Sequence, residues 1–141
     1  MSIDAYRRTL REVESPRQIE RRLMSNITGR LDSVAGRFDD ADARHERLML
    51  LATGLRTALA ENQKLWSAMK YDLSENENSL PHELRGRLLS LAIWVEKTTA
   101  AVLGGTAGVR ALVSVNNNIV AALSDRPATV ADEAMALAER V

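Results

Sequence analysis

Apolar residues recur along this chain at alternating steps of three and four, the spacing that sets them on one face of an α-helix. The clearest stretch is Leu80–Leu103. Leu84, Leu88, Leu91, Val95, Thr98 and Val102 make one face there, with Trp94 beside it. Leu89, Ile93 and Ala100 make a second, narrower stripe on the far side. A helix apolar on opposite sides belongs inside a core, so this stretch is expected to be the central helix. Pro81 suits its first position, where a missing N–H costs nothing, and Gly104-Gly105 supplies the left-handed conformation that ends a helix.

The remaining segments read as helices laid around it. Ile3, Tyr6, Leu10 and Val13 form a short amphipathic helix. Ser15-Pro16-Arg17-Gln18 is a helix start, with Ser15 as N-cap and Gln18 as its capping-box partner. Ile19, Leu23, Ile27, Leu31 and Val34 then share a face, and Gly36 is expected to stop that helix. Residues 38–43 read as an acidic linker in which Asp40 or Asp42 caps the next helix. That helix should run unbroken from about Ala43 to Leu73, because Leu48, Ala52, Leu55, Leu59, Asn62, Trp66, Met69 and Leu73 hold a heptad-like seam. Asn62 interrupts the apolar seam, and its amide must find partners or cost about 1–3 kcal/mol. After a polar loop at 74–79 and the central helix, Thr106 is an N-cap candidate for a helix carrying Val109, Leu112, Asn116, Ile119 and Leu123 on one side. Val130, Ala134, Leu137 and Val141 give a last short stripe. The expected fold is all-α, a bundle of five to six helices around the helix at 81–103. Residues 1–124 form one domain and residues 125–141 an amphipathic extension.

Composition narrows the function. Nineteen Lys and Arg balance nineteen Asp and Glu, so the chain lacks the cationic surplus that general nucleic-acid binding needs. Arginines do cluster toward the N-terminus (Arg7, Arg8, Arg11, Arg17, Arg21, Arg22, Arg30, Arg37), either as a basic patch or as a solvated helix face with intrahelical ion pairs. No cysteine is present. The charged start MSIDAYRRTLREVE lacks the apolar core of a signal peptide, and no uncharged apolar run reaches the roughly 18–20 residues of a membrane span. A soluble cytoplasmic protein without a membrane partner is expected.

Reactive chemistry is sparse. His45 and His82, without cysteine, make a poor zinc set. The Gly104–Gly108 run follows a helix rather than a strand, the wrong setting for a phosphate loop. Asp39-Asp40 falls in the acidic linker. No catalytic residues, cofactor or metal are expected. Asn62, Trp66, Leu91, Trp94 and Asn116 are read as the structural seam.

Four blocks, in order, give the chain a recognisable likeness. They are Ala5-Tyr6 with Ser15-Pro16-Arg17 and Glu20; Asn62-Gln63-Lys64-Leu65-Trp66-Ser67-Ala68; Asn78-x-Leu80-Pro81-x-x-Leu84-Arg85 running into Leu88–Val95; and Leu112-Val113-x-Val115-Asn116-x-x-Ile119 with Leu123. In these the chain resembles the FlaF family, flagellar biosynthesis regulators of alphaproteobacteria. Lys97-Thr98-Thr99 departs from the family's commoner basic-His-Thr/Ser run, and residues beyond Asp125 lie outside the pattern.

The resemblance implies a cytoplasmic regulator of flagellum biogenesis that binds unpolymerised flagellin as a chaperone and promotes its synthesis or secretion, opposite an FlbT-type regulator. The family brings no catalytic residues. A helical groove suits an amphipathic flagellin segment, and the expected partner-binding residues are Leu89, Ile93 and Ala100 with Tyr6 and Arg17. The second stripe is left for the N-terminal helices or for the client. Two other functions remain open at this point: RNA-binding control of flagellin mRNA through the arginine-rich N-terminal region, and a purely structural adaptor that self-associates.

Overall fold

The computed structural model describes residues 16–75 and 80–124, with side chains described for 21–75 and 80–121. The expected helices at 3–13 and 130–141, and the extension as a whole, lie outside those residues. Within them the fold is all-α. Helix α1 is Pro16–Asp39, α2 is Arg44–Leu50, α3 is Arg56–Ser74, α4 is His82–Leu103 and α5 is Val109–Ser124. Helices α2 and α3 are joined by a wide turn at Leu51–Leu55, so four helical rods stand where five to six were expected for the whole chain.

Helix α1 begins at Pro16, as its sequence dictates, but does not end at Gly36. Gly36 stays out of the left-handed region, so the helix continues for three more residues and delivers Phe38 into the core, fully buried. The buried side is Met24, Ile27, Thr28, Leu31, Val34, Ala35 and Phe38. Leu23, expected on that side, is half-exposed and Met24 takes its place. Thr28 satisfies its buried hydroxyl by donating to the Met24 carbonyl at 2.6 Å.

The seam expected to run unbroken from 43 to 73 is split. Thr53 (φ −93°, ψ 27°) and Gly54 (φ 100°, ψ −15°) leave helical geometry, because glycine alone takes a positive φ without a Cβ clash. The break re-phases the helix. Leu51 and Leu55 are buried on either side of it while Ala52 is exposed, and beyond it Ala58, Leu59, Asn62, Trp66 and Leu73 face inward. Neither Asp40 nor Asp42 caps α2, whose first turn has Ala43 ahead of it and no side-chain cap.

Helix α1 lies along α5, and α3 lies along α4, while α4 and α5 meet only over a short stretch. An ion pair between Arg30 and Glu61 ties α1 to α3. Lys70 and Glu96, 3.1 Å apart, tie α3 to α4. The helix at 81–103 is therefore a flanking element and not the middle of the bundle. Leu84, Leu88, Leu91, Ala92, Val95, Thr99 and Val102 are buried, whereas its other side faces solvent. Gly86, Ser90 and Lys97 lie among the apolar residues of that outer side, which periodicity alone had marked as a second core stripe.

Gly105 ends α4 with φ 93°. Its N–H donates to the Val102 carbonyl at 2.9 Å and the Thr106 N–H to the Ala101 carbonyl at 3.0 Å, the paired bonds of a Schellman cap. A Cβ at Gly105 would also come within 2.7 Å of Arg44 Cγ, whereas one at Gly54 would meet nothing. Gly54→Ala should cost about 1 kcal/mol from the left-handed backbone alone, and Gly105→Ala about 2–3 kcal/mol because the clash adds to it. Thermal unfolding followed by circular dichroism should rank them in that order, separated by about 2–6 °C.

Candidate functional site

Two features of the bundle carry chemistry: a polar chain inside it and an open side on α4. The interior chain joins α3 to α5. The Trp66 indole Nε1–H donates to Asn116 Oδ1 at 2.9 Å, and Asn116 Nδ2 donates to Asn62 Oδ1 at 2.7 Å. Asn62 and Asn116 are wholly buried and Trp66 is 2% exposed. Asn62 Nδ2 has no hydrogen-bond partner among the described residues. Helical spacing explains the meeting, since Asn62 and Trp66 are four apart on α3 and present one edge to Asn116. Leu91, on the inner side of α4, is buried as well. Trp94 is not part of this seam. It is 38% exposed, because one helical step rotates it from the inner face of α4 toward solvent.

A second polar cluster fastens one end of the bundle. Asp39, the last residue of α1, accepts the backbone N–H groups of Gly108, Val109 and Arg110 at 2.9, 3.0 and 2.8 Å. It caps α5 in place of Thr106, which was the local candidate. Asp40 takes both Arg110 guanidinium nitrogens, at 2.6 and 2.8 Å. These hydrogen bonds hold the Asp40 carboxyl below its ordinary value and push Arg110 up. The stabilisation from Asp40 is thus complete above the ordinary aspartate range and fades as pH falls through its lowered value; the pair is exposed and its contribution is small. Arg44 Nε donates to the Gly104 carbonyl at 2.8 Å and Arg47 Nε to the Gly105 carbonyl at 2.5 Å, placing cations on the negative end of α4. The pair read as an acidic linker, Asp39-Asp40, is a junction between helices.

The open side of α4 holds the residues expected to bind a partner. Leu89 is half-buried, Ile93 is 40% exposed and Ala100 is exposed. Their spacing puts them on one side of α4, and Glu96 flanks them next to Leu89 in helical projection. Because Glu96 reaches Lys70, that side borders α3. Arg17 lies in the first turn of α1, outside the residues with described side chains, and Tyr6 lies outside the described residues. Sequence reasoning did not single out Tyr71, which is 71% exposed, or Met49, also exposed, and it placed the exposed Leu23 on a buried face. Tyr71 falls opposite the Leu59–Trp66 edge of α3, a position that periodicity marks as outward.

His45 and His82 are exposed, and among the described residues no group of three or more His, Cys, Asp or Glu is placed to hold a metal ion. No helix among those residues is long and apolar enough to cross a membrane. Of the N-terminal arginines with described side chains, Arg30 is committed to Glu61.

The model of one protein family, described as flagellar protein FlaF, matches residues 2–123. No curated protein matches the chain. No solved structure matches it either.

The interior chain makes a direct stability prediction. Asn116→Leu orphans the Trp66 N–H and the Asn62 carbonyl together and should cost about 2–4 kcal/mol. The triple variant Asn62→Leu, Asn116→Leu, Trp66→Phe removes all partners at once, and it should recover at least half of that loss. Urea denaturation of both variants checks the sign.

Proposed function

Because the chain belongs to the FlaF family of flagellar proteins, we propose that it is a cytoplasmic flagellin-binding regulator of flagellum biogenesis. It holds unpolymerised flagellin as a chaperone does and promotes its synthesis or secretion. The observation that carries this reading is the exposed apolar side of α4, where Leu89, Ile93 and Ala100 stand beside α3. An amphipathic helix of flagellin laid along that side covers apolar surface on both partners, which is how helical segments are held without chemistry. Tyr6 and Arg17 contribute from the N-terminal region, and an FlbT-type regulator is a further partner. The protein acts stoichiometrically and turns nothing over.

Ile93→Asp tests the assignment. With Ile93 partly in water, a carboxylate there has access to solvent and the fold should stay near normal by circular dichroism. Flagellin binding should weaken by roughly tenfold to a hundredfold, as loss of an anchor does. Leu91→Asp, on the buried side, should unfold the protein instead. A folded Ile93→Asp variant that captures flagellin at wild-type affinity sinks the assignment.

A further inference from the structure

We propose that the outer side of α4 pairs with the same side of a second copy of this chain, antiparallel and centred on Ser90. The argument is self-complementarity. Glu83, Gly86, Ser90, Ile93, Trp94 and Lys97 are all exposed along this side. In an antiparallel two-fold pair, residues equidistant from the centre face one another. Glu83 and Lys97 stand equally far from Ser90 on opposite sides, so each copy offers an acid to the other's base. Gly86 and Trp94 are likewise equidistant. Gly86 carries no side chain and has open space above it, so the indole, the bulkiest exposed side chain on the helix, can lie over it. Ser90 is small enough at the crossing for the helix axes to approach to roughly 8–10 Å.

Within one chain Glu83 bonds Arg87, 2.9 Å away and one turn along the same helix. Both partners are well exposed, so exchanging that bond for one to Lys97 costs little. Arg87 then lies opposite Ile93, and its aliphatic stem covers the isoleucine. A single helix pair buries less than the roughly 1,600 Å² of a standard interface, so the dimer is a weak one, with a dissociation constant on the order of tens of micromolar. Ile93 belongs both to this side and to the client stripe, so a second copy and a flagellin helix exclude one another. That consequence rests on the flagellin reading. Self-association itself does not, and it is measured on the purified chain alone.

Sedimentation equilibrium of the full chain, from about 5 to 300 µM, should show the mass rising from 15.6 kDa toward twice that value. Glu83→Lys and Lys97→Glu should each weaken association about tenfold, since two-fold symmetry repeats every like-charge contact. The double swap should restore it. The chain has no cysteine, so Ser90→Cys places a lone thiol at the crossing. Under mild oxidation it should form a disulfide-linked dimer much faster than Ser114→Cys, an exposed position on α5. A wild-type mass that stays at 15.6 kDa throughout, a double swap that fails to restore association, or equal crosslinking at both cysteines overturns the proposal.

Discussion

An indole N–H and two carboxamides buried between α3 and α5 constrain this bundle more tightly than its apolar contacts do. Leucines tolerate sliding, because any apolar neighbour of similar size serves. Trp66, Asn116 and Asn62 do not, since only one placement of α3 against α5 lines up donor, acceptor and donor at 2.9 and 2.7 Å. A shift of one helical turn would strand several buried polar groups at about 1–3 kcal/mol each, a large share of a typical domain stability of about 5–15 kcal/mol. The other helices inherit this register. Helix α1 is set by lying along α5, and α4 by lying along α3.

The ends of the helices are fastened as specifically as their middles. At one corner the start of α5 meets a carboxylate from α1, and the finish of α4 meets two guanidinium groups from α2. Each charge has the sign that the exposed backbone groups of that terminus attract. With register and corners settled by α1, α2, α3 and α5, the outer side of α4 carries little of the folding load. Exposed Ile93 and Trp94 sit where the fold does not require them.

Periodicity made most of the architecture legible in the sequence. Steps of three and four identified α1, α3, α4 and α5, and the Pro16 start and the Gly104-Gly105 stop lie within a residue of their expected places. The misplaced features have physical reasons. Glycine marks a stop only when it turns left-handed: Gly36 does not and Gly54 does, a choice made by what packs on each side. A cap delivered from 69 residues away, as Asp39 delivers it to Gly108, leaves no local signature, so Thr106 was the natural local candidate. The Leu89–Ile93–Ala100 stripe was visible, but an apolar side does not announce whether anything covers it. Asn62, Trp66 and Asn116 were marked twice, the asparagines as polar interruptions of apolar stripes and Trp66 as a seam member, and all three as parts of the family-like blocks. Their direct contact joins two blocks that the sequence shows only as separate.

The pairing of α1 with α5 also sets an order of events during synthesis. Asp39 reaches its three partners across about 70 residues of chain, so α1 emerges from the ribosome long before the helix that covers it exists. At roughly 5–20 residues per second the delay is on the order of ten seconds. During that interval Met24, Leu31 and Phe38 have no α5 to pack against, although α2 and α3 can already pair with α1. Closure of the bundle therefore waits for α5, and a ribosome that stalls before Val109 leaves a nascent chain with the α5-facing side of α1 uncovered, a substrate for aggregation or proteolysis rather than a partly working protein.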